Sequence, residues 1–538
     1  MLDALAKRMG LSAIPQIFFI SVAVVVLFVG FAVPFHDEFA QFFDRLGQFT
    51  FTRFGWFYVV SVSGLLLFLL WLSASRYGHI RLGPEDEGPE YNTVTWFCML
   101  FAAGIGTILM FWGVAEPMYH FAQPPFADID PESVASAKLA MQISMFHYGL
   151  HTWTIFTLPA LAIGYFAYRQ GLPMRISSVF YSVLGDRIYG PIGWAIDIIA
   201  VLGTLFGVAV SVGLGTLQIN SGLNYLVGMP DTTLAKMAIV AVITAVATVS
   251  VALGLDRGIK RLSEFNIIIA IAILLFIWVC GPTLFVTEGM VQNVGMYLDK
   301  ILWFSFWTEA YSESDWQRSW TVFYFAWTIS WAPYVGIFIA RISKGRTIRQ
   351  FILGALGAPL MFTLVWFSVF GLSAIDLELN HDVAIAAEVQ KDVSVALFSF
   401  LENFPLPKLI STLALIVIVV FITTSADSAA LVIDLLSRKD KQPSKTIQRI
   451  FWTLLLGATA ATLLLGGGLK ALQNVITALG FPFCVLLVFM AVSLVRALHA
   501  DYLGYSMKEL SQGKAPGIHP MGSLPREKKS HSEKSSRE

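Results

Sequence analysis

The chain has 538 residues, of which 56% are hydrophobic and 13% charged, with 36 Lys and Arg against 36 Asp and Glu. So apolar a composition, with its charges gathered between long apolar runs, excludes a soluble globular fold, and zero net charge gives no footing for a nucleic-acid partner. A crossing of the bilayer needs about 20 apolar residues in a helix, because the backbone must satisfy its own hydrogen bonds there.

In chain order, a tail at 1–16 carries Lys7 and Arg8 and lacks a small-residue cleavage site, so the first apolar run is expected to be retained. Spans are predicted near 17–35, 56–74, 93–115, 141–168, 190–215, 234–254, 264–286, 318–340, 350–373, 408–435, 450–468 and 475–497, about twelve in all. The fold class is therefore an all-α polytopic membrane protein. The third span holds Ala102-Ala103-Gly104-Ile105-Gly106-Thr107 at its middle. Glycine costs a helix interior roughly 1 kcal/mol against alanine, so this run marks either an irregular helix or close packing through small residues.

The fourth span carries His147, Tyr148, His151, Trp153 and Phe156. The two histidines stand at i and i+4, but no carboxylate or cysteine lies near them in sequence to complete a metal site, which favours packing or hydrogen bonding. Mixed polar and apolar stretches at 289–306 and 384–403 predict short interfacial helices on the outer side. In the eighth span, Trp327, Thr328 and Trp331 fall within about 100° of arc, as Trp153 and Phe156 of the fourth fall about 60° apart. Rings around a desolvated cation contribute about 2 kcal/mol or more each, although aromatic residues in membrane helices are more often packing or interfacial.

The tenth span contains Phe421-Ile422-Thr423-Thr424-Ser425-Ala426-Asp427-Ser428, four hydroxyls and a carboxylate in an aliphatic helix. Facing a break in another helix, such hydroxyls join freed carbonyls in holding a cation. Back-bonding would satisfy each hydroxyl alone, and Asp427 is as readily a structural hydrogen-bonding residue as a functional one. Cys98, Cys280 and Cys484 are odd in number and lie in apolar runs, so they are expected to pack rather than pair. From about 500 the chain turns polar, with Pro516, Pro520 and Pro525, the composition of a disordered tail.

Alternate loops carry the basic residues: Arg169, Arg175 and Arg187; Arg257, Lys260 and Arg261; Arg341, Lys344, Arg346 and Arg349; Arg438, Lys439, Lys441, Lys445 and Arg449. Those loops are expected in the cytoplasm, and an even span count places both termini there. Nothing resembles a P-loop, a nucleophile elbow or a zinc-hydrolase helix, so neither enzymatic activity nor a cofactor is expected.

These residues resemble the betaine/choline/carnitine transporter family over nearly the whole span region. The eighth span is the most specific part, with Asp315-Trp316, Trp320-Thr321-Val322-Phe323-Tyr324, Trp327, Trp331, Pro333 and the run Ala340-Arg341-Ile342-Ser343-Lys344-Gly345-Arg346-Thr347-Ile348-Arg349. Phe101-Ala102-Ala103-Gly104, Ala115-Glu116-Pro117, Phe146-His147-Tyr148 and Thr424-Ser425-Ala426-Asp427-Ser428 support it. The resemblance implies a LeuT-type inverted repeat of five plus five helices, spans 3–7 within 91–306 and spans 8–12 within 307–499. Two peripheral helices at 17–90 and a cytoplasmic tail at 500–538 fall outside the repeat, and the family is often trimeric.

The resemblance also implies an aromatic box of Tyr148, Trp153 and Phe156 with Trp327 and Trp331, in a pocket that Ile108, Phe325 and Thr328 complete. It implies a sodium site made by the carbonyls of Ala102, Ile105 and Phe421 with the hydroxyls of Thr424 and Ser425. At a second sodium site Thr204 fits, but Val208 stands where another hydroxyl is expected. Thr328 replaces a tryptophan usual in betaine and choline carriers, and Ile108 a glycine or aspartate, which argues against choline and for a reshaped pocket. The implied activity is sodium-coupled uptake of a betaine-like solute through the inner membrane. Proton-coupled symport of choline, ectoine, dimethylsulfoniopropionate or taurine is the alternative, as is precursor/product exchange or a substrate-gated channel.

Overall fold

The structure is a computed structural model and describes residues 2–102, 106–253, 256–312, 314–439 and 443–512. Its long helices, in chain order, are α1 (Pro15–Ala32), α2 (His36–Ala74), α3 (Thr93–Ala102), α4 (Gly106–Ala122), α5 (Val134–Tyr148), α6 (Leu150–Gly164), α7 (Pro191–Val227) and α8 (Thr233–Leu253). They continue with α9 (Asp256–Cys280), α10 (Thr283–Phe306), α11 (Phe323–Arg341), α12 (Ile348–His381), α13 (Pro407–Ser437), α14 (Thr446–Leu465) and α15 (Gly468–Tyr502).

Among the described residues, 11 helical stretches are long and apolar enough to cross a membrane. The expected third span is not among them. Its described residues are helical over the 10-residue α3 and the 17-residue α4, and 103–105, on which the expected irregularity falls, lie outside the described residues. The seventh span ends earlier than hydropathy suggests, at Cys280, because Gly281-Pro282 follows and a proline disfavours helical geometry in the residue before it. The expected short interfacial helix at 289–306 is the greater part of the 24-residue α10. That helix buries Val286, Asn293, Tyr297 and Phe304 on one face and exposes Leu284, Val291, Leu298 and Leu302 on another. At 384–403 the expected short helices are present as Ile385–Lys391 and Ala396–Leu401.

Burial sorts the helices into a centre and a rim. The most apolar windows of the stretches at 318–341 and 134–169 are 94% and 89% buried, against 28% for 262–280 and 33% for α1. A helix apolar all round and buried is a bundle core, and one equally apolar but exposed faces lipid. Small residues let the central backbones approach. Gly336 of α11 lies against Pro159 and Ala160 of α6, Gly207 of α7 against Ser330 and Trp331, and Gly480 of α15 against the Ala326 carbonyl. Of the cysteines, only Cys484 is buried; Cys98 and Cys280 are exposed, so the packing expected of all three holds for one.

The fourth span is broken where hydropathy shows no break. Gly149 separates α5 from α6 with φ −88° and ψ −137°. A Cβ there would lie 2.4 Å from the Met145 carbonyl and 2.6 Å from the Tyr297 hydroxyl. The amide of Leu150, freed by the break, donates to that hydroxyl at 3.0 Å. The break is thus built from a glycine that leaves room and a tyrosine that accepts the orphaned N–H.

On the face carrying the basic loops, the segment after α2 pairs with the α11–α12 loop. Leu82 N–H donates to Arg346 O at 2.9 Å, Gly345 N–H to Leu82 O at 2.8 Å, and Ile348 N–H to Ile80 O at 2.9 Å. Arg346 lies over the Trp96 ring at 3.9 Å, and Arg169 binds Asp501 at 2.5 Å and Glu85 at 2.6 Å.

Candidate functional site

A small enclosed space lies beside the α5–α6 break, lined by Ile108 and Leu109 of α4, Tyr148, Thr152, Trp153 and Phe156 of the broken helix, and Thr363 of α12. The volume a water centre can occupy is about 10 Å³, room for roughly one water. Its walls are fixed from behind. Trp366 Nε1 donates to the Leu109 carbonyl at 3.1 Å and Gln218 Nε2 to the Met110 carbonyl at 2.7 Å, so α12 and α7 both grip the start of α4. Tyr148 stacks on Phe367 at 4.7 Å and meets Tyr324 edge-on at 5.1 Å, while Trp153 and Phe156 form a T-shaped pair at 5.7 Å.

Two of the lining groups, Trp153 Nε1 and the Thr363 hydroxyl, are buried without a hydrogen-bond partner among the described residues, whereas the Tyr148 hydroxyl lies beside Tyr324 and Glu116. Buried donors left unpaired cost on the order of 1–3 kcal/mol each. The surface that faces the space is almost wholly apolar, supplied by the aromatic and aliphatic side chains.

Four residues expected in a solute pocket, Ile108, Tyr148, Trp153 and Phe156, come together here. Those of α11 do not line this space. Trp327 turns to α7, where its Nε1 donates to Ser211 Oγ at 3.1 Å and the Gly207 carbonyl at 3.3 Å. Trp331 packs on Gly207 and on Tyr334, 5.7 Å away, with its Nε1 unpaired. Phe325 faces the other way, stacked on His151 at 6.0 Å. Thr328 is buried. Thr152 and Thr363 were missed from sequence. Thr152 stands one helical turn after Tyr148, which is the signal that could have found it, whereas nothing local marks Thr363.

Of the cation-site residues, Ile105 lies outside the described residues, and Ala102 is described only as the last residue of α3. Phe421, Thr424 and Ser425 are half-buried on α13, which packs against α4. Thr424 Oγ1 donates to the Val420 carbonyl at 2.9 Å and the Phe421 carbonyl at 3.1 Å, the back-bonding arrangement. Asp427 takes the structural role: its carboxylate accepts from Ser250 at 3.1 Å and from Arg449 at 3.3 Å. Thr204, within the buried part of α7, has an unpaired hydroxyl, and Val208 is fully buried one turn on.

The histidine pair diverges. His151 Nε2 bonds Ser305 Oγ at 2.9 Å, whereas His147 Nδ1 meets Glu116 Oε1 at 2.5 Å and its Nε2 meets Thr321 Oγ1 at 2.8 Å. Hydrogen bonding of both is as expected. The carboxylate absent near them in sequence comes from α4, 31 positions earlier, a partner that sequence spacing does not show.

Comparison with known proteins agrees with this architecture. The model of the BCCT, or betaine/carnitine/choline, family of transporters matches residues 16–503. The chain is 43% identical over 501 residues to the ectoine/glycine betaine/proline transporter EctP of Corynebacterium glutamicum, covering 92% of this chain and 82% of that one. It is 40% identical over 489 residues to the glycine betaine transporter of Acinetobacter baylyi, covering 90% and 74%. To the high-affinity choline transport protein of Escherichia coli K12 it is 37% identical over 512 residues, covering 94% and 75%. A multi-pass helical chain with a buried aromatic space at a helix break, matched over nearly its whole length, belongs to the betaine/carnitine/choline family of transporters, and it is not an enzyme.

Proposed function

We propose that this chain imports a small zwitterionic compatible solute of the glycine-betaine type by sodium-coupled alternating access. The observation that carries the proposal is one space walled by the Tyr148, Trp153 and Phe156 rings, two of whose lining residues, Trp153 and Thr363, keep a donor unpaired among the described residues. Rings suit an onium group, which they attract without desolvating a counter-charge. Donors suit a carboxylate, which has acceptors only. A zwitterion carries both. The space is smaller than such a solute, so in this proposal binding widens it, from either side of the membrane in turn. Trp327 and Trp331 enter the site in that scheme by a shift of α11 against α7.

The same proposal places the chain in the plasma membrane with both termini in the cytoplasm. It counts α3 and α4 as one interrupted crossing to give twelve, and arranges spans 3–12 as a LeuT-type inverted repeat in a homotrimer. Sodium binds where α13 faces the interruption, on the carbonyls of Ala102, Ile105 and Phe421 and the hydroxyls of Thr424 and Ser425. Thr204 joins a second site. The relatives named for glycine betaine and ectoine fit a zwitterion, and Ile108 in the wall supplies no charge to balance choline. Moving one net positive charge inward gains about 2.3 kcal/mol per 100 mV, on the order of fortyfold in accumulation.

The test is uptake into proteoliposomes of betaine, ectoine, dimethylsulfoniopropionate, taurine, carnitine and choline, each with and without a sodium gradient. Uphill, sodium-dependent accumulation of a zwitterion is expected. Uptake indifferent to sodium but driven by a proton gradient would sink the coupling assignment, and counterflow as the sole activity would make the chain an exchanger.

A further inference from the structure

Beside the solute space, where the Tyr148 hydroxyl approaches Glu116, Glu116 and His120 of α4 and His147 of α5 form a cluster that neither the solute nor the sodium assignment uses. All three side chains are fully buried. One ligating atom from each lies within 4.8 Å of the others: His147 Nδ1 is 2.5 Å and His120 Nε2 3.6 Å from Glu116 Oε1. Glu116 and His120 are spaced i and i+4, so they share a helix face.

The cluster is incomplete as protein alone. Both ring nitrogens of His120 and the Oε2 of Glu116 are buried without a hydrogen-bond partner among the described residues. A buried imidazole with neither nitrogen paired is costly, and the Tyr148 and Tyr324 hydroxyls approach the Glu116 carboxylate beside His147. Nitrogen and oxygen atoms converging from two helices are the donor set of a tetrahedral zinc site, whose ligands sit about 2.0–2.2 Å from the metal.

We propose that Glu116, His120 and His147 bind a divalent transition-metal ion, with zinc(II) the best match to two imidazoles and a carboxylate. Three protein ligands leave a coordination position for water. His147 Nδ1 would have to withdraw slightly from Glu116 to admit the ion. In that tautomer Nε2–H donates to Thr321 Oγ1, already 2.8 Å away, so a partner that orients the ligand is in place. The rings of Trp320 and Trp316, 4.4 and 5.2 Å from His120, close the site with an apolar wall. An ion here ties α4 to α5.

The experiment is titration of the purified full chain with cobalt(II), read by its visible absorption, followed by displacement with zinc. Thermal unfolding with and without zinc is the second measurement. The expected result is one saturable ion per chain, displaced by zinc, with a raised unfolding midpoint in zinc. His120→Ala should abolish the cobalt spectrum and the zinc-induced stabilisation, and Thr321→Val should weaken binding by about tenfold. His36→Ala with His381→Ala, on the exposed histidines, should leave both unchanged. Wild-type protein that shows no saturable cobalt spectrum overturns the proposal whatever the variants do. So does binding of undiminished affinity in His120→Ala.

Discussion

The Tyr148 hydroxyl, on a residue that lines the solute space and beside Glu116 and Tyr324, separates two kinds of cargo. If it donates to a carboxylate, Tyr148→Phe removes one charge-assisted hydrogen bond and leaves the ring, a loss of about 1.5–3 kcal/mol or roughly tenfold or more in apparent affinity for a zwitterion. Any residual uptake of choline, which has no carboxylate, should be unaffected. Equal losses for both would assign the hydroxyl to structure. On the cation side, Thr424→Ala with Ser425→Ala should raise the sodium concentration for half-maximal uptake more than it weakens solute binding at saturating sodium. Thr424 already spends its proton on the Val420 and Phe421 carbonyls, which leaves its lone pairs for a cation. Equal loss of both would indicate misfolding. At this scale the sequence was legible for Trp153 and Phe156, which line one space from α6 as their spacing implied. It was illegible for Thr363 and for the Glu116–His147 pair, because these contacts depend on how separate helices pack and no local pattern encodes that.

Among the elements, the Gly149 break is the one on which the site depends, since Tyr148 precedes it and Thr152 follows it. Gly149→Ala would push a Cβ into the Met145 carbonyl and the Tyr297 hydroxyl, so it should destabilise the protein by about 1–3 kcal/mol. Tyr297→Phe keeps the packing but leaves the Leu150 amide without its acceptor, a cost of about 1–3 kcal/mol. Thermal unfolding of both variants checks this, and a Tyr297→Phe midpoint equal to wild type would show that the amide finds water instead. Hydropathy missed this break because a single glycine between Tyr148 and Leu150 hardly lowers a window average. The small-residue run expected to interrupt the third span centres on 103–105, outside the described residues. Gly281-Pro282 was misjudged for a related reason: the apolar run continues past the proline, so the span was extended to 286 although the helix ends at Cys280.

For the whole molecule, closure on the basic-loop face rests on a chain of contacts that starts at one ion pair. Arg169, at the end of the fourth span, binds Asp501 near the end of α15 and reaches Glu85 and the Gly83 carbonyl. It thereby holds the segment that pairs with the α11–α12 loop through Leu82, Gly345 and Ile348. Gly345 has φ +81°, and a Cβ on it would lie 2.1 Å from the Gly88 carbonyl, so this joint is conformationally exacting. In the alternating-access cycle proposed above such a joint breaks in each turn, which limits how strong it can be. Both side chains of the Arg169–Asp501 pair are 18% exposed, which puts its worth near the upper end of a surface pair, about 1 kcal/mol. Asp501→Asn should therefore shift the equilibrium toward the state open on this face by roughly fivefold. Amide hydrogen exchange at Leu82, Gly345 and Ile348 should quicken by about the same factor, because those N–H groups are released only when the joint opens. Amides in α8, on the rim, should keep their rates. If the three amides exchange as in wild type, the ion pair belongs to the static frame and the closing element lies elsewhere.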